Sequence, residues 1–211
     1  MVCAICQTRR PRRQCPGVSG DICTICCGTQ REVTISCPLD CEYLREAHAH
    51  EKSAGLDLDH LPNPDIRVSE ELLEDNHELL EFLSRTLVAT ALETPGTVDH
   101  DLRGALAALT RTYRTLQSGI YYETLPENAI AARIFRAVED AVEAFRQEET
   151  SRLGMTKTRD TDLLGLFVFL ERLELDRNNG RPRGRAFLDL LRGLQPEPPD
   201  GVSDSSSVVL E

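Results

Sequence analysis

Cys3-Ala4-Ile5-Cys6, Cys15, Cys23-Thr24-Ile25-Cys26-Cys27 and Cys37-Pro38-Leu39-Asp40-Cys41 together hold all eight cysteines of this 211-residue chain. The spacing is C-x2-C-x8-C-x7-C-x2-C-C-x9-C-x3-C, and no cysteine follows Cys41. Cysteines used as small core hydrophobes would be scattered along the chain. The C-x2-C spacing instead lets two thiolates from one tight turn reach a single tetrahedral ion, with Zn–S near ~2.3 Å. Two such turns occur, at Cys3–Cys6 and at Cys23–Cys26, and Cys37 with Cys41 adds a third pair. Pro38 suits the first position of a helix. Leu39, Tyr43, Leu44 and Ala47 continue with helical spacing, which places Cys37 and Cys41 one turn apart at a helix start. Val33-Thr34-Ile35 alternates like a short strand leading into Cys37. Gly28 is expected at a positive φ beside the ligands.

A segment of fifty residues buries little apolar area, so such a module needs metal to fold. Eight thiolates match two sites of four, and the expected cofactor is Zn2+, two ions per chain. Nothing resembles a signal peptide, because Cys3 and Cys6 stand where an apolar h-region is needed. The longest strongly apolar run, residues 163–170, is far short of the ~20 residues of a spanning helix. These features point to a cytoplasmic protein without a membrane segment. In that compartment thiols stay reduced, which favours metal over disulfides.

The run from Cys3 to Cys26 resembles the B-box of tripartite-motif proteins over about 25 residues. In that family two ions sit in a cross-brace. Carried over, the resemblance implies Cys3, Cys6, Cys23 and Cys26 at site 1, and Cys15, Cys37 and Cys41 at site 2. The sequence then departs from the B-box, since Val18 stands where the family has a ligand. Cys27 is the obvious fourth ligand of site 2, with Asp21, His48 and His50 in reserve. For His48 and His50 the plainer reading is exposure on a surface helix. Cys26-Cys27-Gly28-Thr29-Gln30-Arg31 followed by Cys37-Pro38-Leu39-Asp40-Cys41-Glu42-Tyr43-Leu44 is also similar to the N-terminal module of uncharacterised bacterial proteins that continue into a helical domain. That resemblance implies no activity.

Working outward, the expected fold is mainly α: a two-zinc module over residues 1–50, a linker over 51–68, an α-helical domain over 69–195 and a disordered tail over 196–211. Residues 53–68 are rich in Gly, Pro, Asp and Asn, which marks a boundary. Ser69 reads as an N-cap with Glu70 and Glu71 in the first turn. Five apolar stripes follow. Leu72, Leu73, Leu79, Leu80, Leu83, Leu87 and Ala91 form the first. The second begins after a capping Asp99 and carries Leu102, Leu106, Leu109 and Tyr113. Pro126 opens the third, which holds Ile134, Phe135, Val138 and Val142 and ends by Gly154. The fourth starts near Asp160 and is apolar on all sides across 163–170, as a central buried helix would be. Asn178-Asn179-Gly180 ends it, and Phe187, Leu188 and Leu191 mark a short fifth. Five helices with short loops predict an antiparallel bundle. Tyr121 and Tyr122 are expected to pack at the end of the second helix, and Val208-Val209-Leu210 is a candidate docking peptide.

The formal net charge is −11, yet residues 1–50 carry six Arg against five acids, which leaves −12 for the rest. A negative field repels phosphate, so nonspecific nucleic-acid binding by the whole surface is disfavoured. Two local basic stretches stand against this field. Arg9, Arg10, Arg12 and Arg13 lie between the first cysteine clusters. Arg177, Arg181, Arg183 and Arg185 occupy one loop, where they meet an external anion or partner or else pair with Glu171, Glu174 and Asp176. Glu74-x-x-His77 is half of a di-iron motif without a second copy, and His100 lies at a helix start. No Ser-His-Asp arrangement, phosphate-cradling Gly loop or isolated reactive Cys stands out. With eight thiolates for two ions, both sites are expected to be closed rather than catalytic. The leading expectation is an intracellular interaction or scaffold protein with a protein partner. The rival is a nucleic-acid-binding regulator using the two Arg-rich stretches.

Overall fold

The computed structural model describes residues 1–53, 55–57, 59, 61–119 and 122–195. It is mainly helical with one small two-stranded sheet. The expectations for Tyr121, for the tail and for residues 208–210 lie outside the described residues. No described helix is long and apolar enough to cross a membrane.

The cysteine module opens with a hairpin that the cysteine spacing alone did not reveal. Strand β1 (Arg13–Cys15) pairs antiparallel with β2 (Gly20–Ile22), with Cys15 opposite Gly20 and Arg13 opposite Ile22. A 3-10 turn over Pro16–Val18 joins them, and Ser19 takes the left-handed conformation. Gly17 is needed for close approach. A Cβ there would lie 2.6 Å from the Ile35 side chain and 2.8 Å from the Ser36 carbonyl oxygen. Helix α1 (Thr24–Gln30) follows and α2 (Glu42–His50) closes the module. Three local expectations are corrected here. Gly28 lies inside α1 without a positive φ; that conformation falls instead on Gln7, Ser19 and Glu32. Residues 32–34 form a turn, and only Ile35 makes an isolated bridge, to Arg31. Cys37 and Cys41 precede α2 rather than opening it: Cys41 is its N-cap, and the Cys41 N–H donates to the Pro38 carbonyl at 3.0 Å.

The remaining helices are α3 (Glu70–Asp75), α4 (His77–Glu93), α5 (Asp99–Gln117), α6 (Ala129–Leu153), α7 (Asp160–Arg177) and α8 (Ala186–Gly193). Five were expected beyond the linker and six are present, because the first stripe is broken at Asn76. Ser69 caps α3 as anticipated, its Oγ accepting from the Leu72 N–H at 3.2 Å. The third stripe begins at Ala129 rather than Pro126. Asn128 is the cap, accepting from the Ile130 and Ala131 amides. Gly154 ends α6 in the left-handed conformation.

Helix α7 is the central element, with Leu163, Leu164, Leu166, Phe167, Val168 and Leu170 all buried. Helix α5 packs along it, α6 packs on α4 and α5, and α8 lies against α4 and α7. Tyr113 meets Phe167 edge-on at 5.1 Å, and Phe82 meets Phe145 at 5.3 Å. Each buried aliphatic or aromatic side chain contributes ~1.5–3 kcal/mol. Short α3 also lies on α7, where Gly165 admits Leu72: a Cβ at 165 would sit 2.5 Å from Leu72 Cδ2.

The carboxylates of Asp99, Asp101, Glu171 and Glu174, buried inside the bundle, are paired. Glu174 is fully buried and receives a two-point bond from Arg103, at 2.6 and 3.0 Å. Burial pushes the Glu174 carboxyl above its ordinary range, against the pull of Arg103. The segment between the two halves is strapped along α7. Arg172 donates to the carbonyls of Pro62, Asn63 and Ile66, and Asn63 donates to Glu171 at 3.1 Å.

Asp99 was expected to cap its own helix. Val98 is the N-cap of α5, and the buried Asp99 carboxylate instead accepts the Phe187 and Leu188 amides at the start of α8, at 2.9 and 3.1 Å. Burial raises its pKa to about 7, and the two amides oppose that rise. Removing the carboxylate leaves two buried donors unpaired. Asp99→Ala is expected to lower stability by about 2 kcal/mol in denaturant unfolding, with the loss concentrated in α8 by amide hydrogen exchange.

Candidate metal centre

The first cysteine pair sits on a knuckle. The Gln7 N–H donates to the Cys3 carbonyl at 2.9 Å while Gln7 takes a positive φ, and the Cys3 N–H returns to Arg9 O at 2.9 Å. The Ala4 N–H donates to Asp21 O on β2, which brings this knuckle against the hairpin. Cys23 follows β2 directly and is the N-cap of α1, so Cys26 comes round on the first helical turn. As a result the Sγ atoms of Cys3, Cys6, Cys23 and Cys26 all lie within 4.8 Å of one another. Among the described residues no other group of three or more His, Cys, Asp or Glu gathers its ligand atoms so closely.

Backbone amides are aimed at this sulfur cluster. The Cys23 N–H points at Cys3 Sγ at 3.2 Å and the Cys26 N–H at Cys23 Sγ at 3.4 Å. The Thr8 and Arg9 amides bring the Cys6 thiol down to about 6, so it is mostly thiolate at neutral pH. Burial works against the Cys3 thiolate, but the amides of Cys6, Cys23 and Ile5 outweigh it and lower the pKa. Cys26 is pushed up to about 12, first by burial and then by the neighbouring sulfurs. Four thiols this close cannot all ionise alone, and a bound cation supplies the compensating charge. The nearby Cys23 sulfur holds the Arg9 guanidinium more firmly protonated. This group can bind a metal ion through four sulfurs.

Cys15, Cys27, Cys37 and Cys41 are brought together less tightly. They line one small cavity between the hairpin, α1 and the start of α2, shared with Arg13 and Tyr43. Cys15, Cys27 and Cys37 are buried and Cys41 is partly so. Arg13 stacks 4.1 Å above the Tyr43 ring and donates to Cys27 Sγ at 3.3 Å; Arg31 reaches the same sulfur at 3.7 Å. Burial raises the Cys37 thiol, with Cys15 and Cys41 adding to the rise, while the Glu32 backbone N–H opposes it.

The reserve ligands lie elsewhere. Asp21 and His50 are exposed. His48, expected on the surface, is instead enclosed between two carboxylates: its Nε2 is 3.1 Å from Glu32 Oε2 and its Nδ1 2.7 Å from Asp189 Oδ2. The Arg-rich loop of the helical domain also turns toward the module. Arg181 pairs with Glu51 at 3.0 Å and lies 3.6 Å from Glu32, and Arg183 donates to Ser36 Oγ at 2.7 Å. Of the acids anticipated as partners, only Asp176 is used, by Arg177 at 2.7 Å. Glu171 binds Asn63 and Thr110, and Glu174 binds Arg103. His77 faces the Glu74 carbonyl and His100 is exposed. Comparison with protein-family models, curated proteins and solved structures returns no match.

Burial works against charge on His48, but Asp189 and Glu32 raise its pKa to about 9 from 6.5. A folded-state pKa above the unfolded one stabilises the fold fully below pH 6.5, and that contribution is lost as pH rises through about 9. The difference in unfolding free energy between the native chain and His48→Gln is therefore expected to be largest at pH 6 and to shrink steadily toward pH 10.

Proposed function

We propose that this chain is a zinc-dependent interaction protein, in which two zinc ions shape the first fifty residues into a rigid surface for a protein partner. The observation that carries the reading is the convergence of Cys3, Cys6, Cys23 and Cys26 from two separate turns within 4.8 Å. A tetrahedral ion with Zn–S near ~2.3 Å needs sulfurs roughly 3.8 Å apart, a small contraction from this geometry. Four thiolates in tetrahedral reach suit zinc. A site filled by four protein ligands leaves no position for water, so the metal acts structurally.

The second ion belongs to Cys15, Cys27, Cys37 and Cys41. Their common cavity supports this assignment. So do the two guanidinium groups on Cys27, which offset part of the −2 charge of a zinc tetrathiolate. Protein recognition is supported by the apolar side chains that the module leaves outward, Val2, Ile25 and Val33. Several of the basic groups that a nucleic-acid reading needs are engaged within the chain: Arg13 on Tyr43 and Cys27, Arg177 on Asp176, Arg181 on Glu51 and Arg183 on Ser36.

Native mass spectrometry of reduced, metal-replete protein tests the reading, with elemental analysis to identify the metal. Two zinc ions per chain are expected, falling to one in Cys26→Ser and to one in Cys27→Ser. A chain that never retains metal would end the proposal. A Cys27→Ser chain that keeps two ions would remove Cys27 from the ligand set.

A further inference from the structure

Glu32 is fully buried at a positive φ, on the turn between the end of α1 and Cys37. No apolar or metal-binding pattern in the sequence marks it, yet its carbonyl and both carboxylate oxygens have partners in the loop that precedes α8. Its carbonyl accepts from the Arg183 amide at 2.8 Å. One carboxylate oxygen accepts from the Arg185 amide at 2.8 Å. The other accepts from Asn179 Nδ2 at 2.7 Å and faces His48. His48 passes the contact on to Asp189 of α8. From the opposite side, the Asp99 N–H donates to Gly184 O at 2.8 Å and its carboxylate caps α8.

We infer that Glu32 is a metal-dependent latch: loading of the Cys15, Cys27, Cys37 and Cys41 site holds the turn that carries Glu32, and through it fixes loop 178–185 and the start of α8. The inference rests on the second-site reading above and adds a regulatory consequence to it. The reasoning is one of geometry. A left-handed conformation at a non-glycine residue is costly and persists only when its surroundings over-determine it. Arg31 and Ile35, which flank Glu32 in the turn, line the cysteine cavity, and the Glu32 side chain itself faces the helical domain. A metal ion drawing Cys27 and Cys37 to one centre fixes both ends of the intervening turn. Without the ion, the turn keeps the Val33, Thr34 and Ile35 amides on the Gln30 carbonyl at 3.1–3.2 Å and its bonds to Asn179, Arg183 and Arg185, but Cys27 and Cys37 at its two ends are no longer tied to a common centre. Releasing the turn frees a buried carboxylate, and with it the donors of Asn179, Arg183 and Arg185.

The pieces have distinct roles. Arg181 and Arg183, which the sequence offers as an anion site, are held against the module while the latch is closed. The helical core does not depend on it, because α5 and α7 are joined by Tyr113 on Phe167 and Arg103 on Glu174. Metal release is therefore a local event at one end of the bundle, of the kind that hydrogen exchange resolves from global unfolding.

The test follows the full-length chain through graded chelation, reading zinc count by native mass spectrometry and exchange of the Arg183, Arg185 and Phe187 amides in parallel. Exchange at these amides is expected to accelerate about tenfold or more as the second ion leaves, with amides of α5 and α7 unchanged. Glu32→Gln, which keeps the side-chain shape, is expected to accelerate the same amides while the chain still carries two ions. Loss of the second ion with loop protection intact would overturn the latch. So would a Glu32→Gln chain with native exchange. A zinc count that never exceeds one in the native chain refutes the second site itself, and the latch with it. The count thus reports on the site and the exchange on the latch, so the two failures are told apart.

Discussion

Sulfur takes the place of hydrocarbon at the centre of the first fifty residues. Among them only Ile22, Ile35, Leu39 and Leu44 are buried aliphatics, whereas six cysteines are buried beside them. Each aliphatic contributes ~1.5–3 kcal/mol, too little to order a segment with three-residue strands and a seven-residue helix. The Cys3 knuckle and the start of α1 bring four thiols within 4.8 Å of one another, and the Ala4 amide on the Asp21 carbonyl joins the knuckle to the hairpin.

The helical part obeys the opposite rule. Its interior is aliphatic and aromatic, and its few buried charges are matched individually: Arg103 with Glu174, Asn63 and Thr110 with Glu171, and the α8 amides with Asp99. A buried carboxylate without its partner costs several kcal/mol, so each pairing specifies one arrangement of helices more than it adds stability. The two halves meet where these rules overlap. Module acids Glu32 and Glu51 reach loop donors Asn179, Arg181 and Arg185, and His48 reaches Asp189.

Periodicity made most of the helical architecture legible. The stripe from Leu102 through Tyr113, the run 163–170 that is apolar on all sides and the Gly154 stop each fall where the structure has them. Local chemistry was less transparent. The break at Asn76 interrupts a continuous leucine stripe, and no Pro or Gly announces it. Asp99 looked like a cap for the helix it starts, because sequence reasoning assigns caps to the nearest amides and cannot see that α8 arrives from 88 residues away. The cysteine spacing placed four sulfurs in reach of one another. It gave no sign of the 13–22 hairpin, which has only three residues per strand and no Asn-Gly turn. Glu32 and His48 gave no sign of their partners because their contacts with Asn179, Arg185 and Asp189 depend on how two separately encoded halves dock.

The absence of a side chain at Gly165 lets Leu72 rest directly on the middle of α7. That single vacancy makes the smallest helix of the bundle a plug. A larger residue at 165 would push the Leu72 side chain off the middle of α7 and loosen the seating of α3 there. Tolerance to substitution at 165 is thus set by how far Leu72 can yield rather than by the helical preference of the incoming residue.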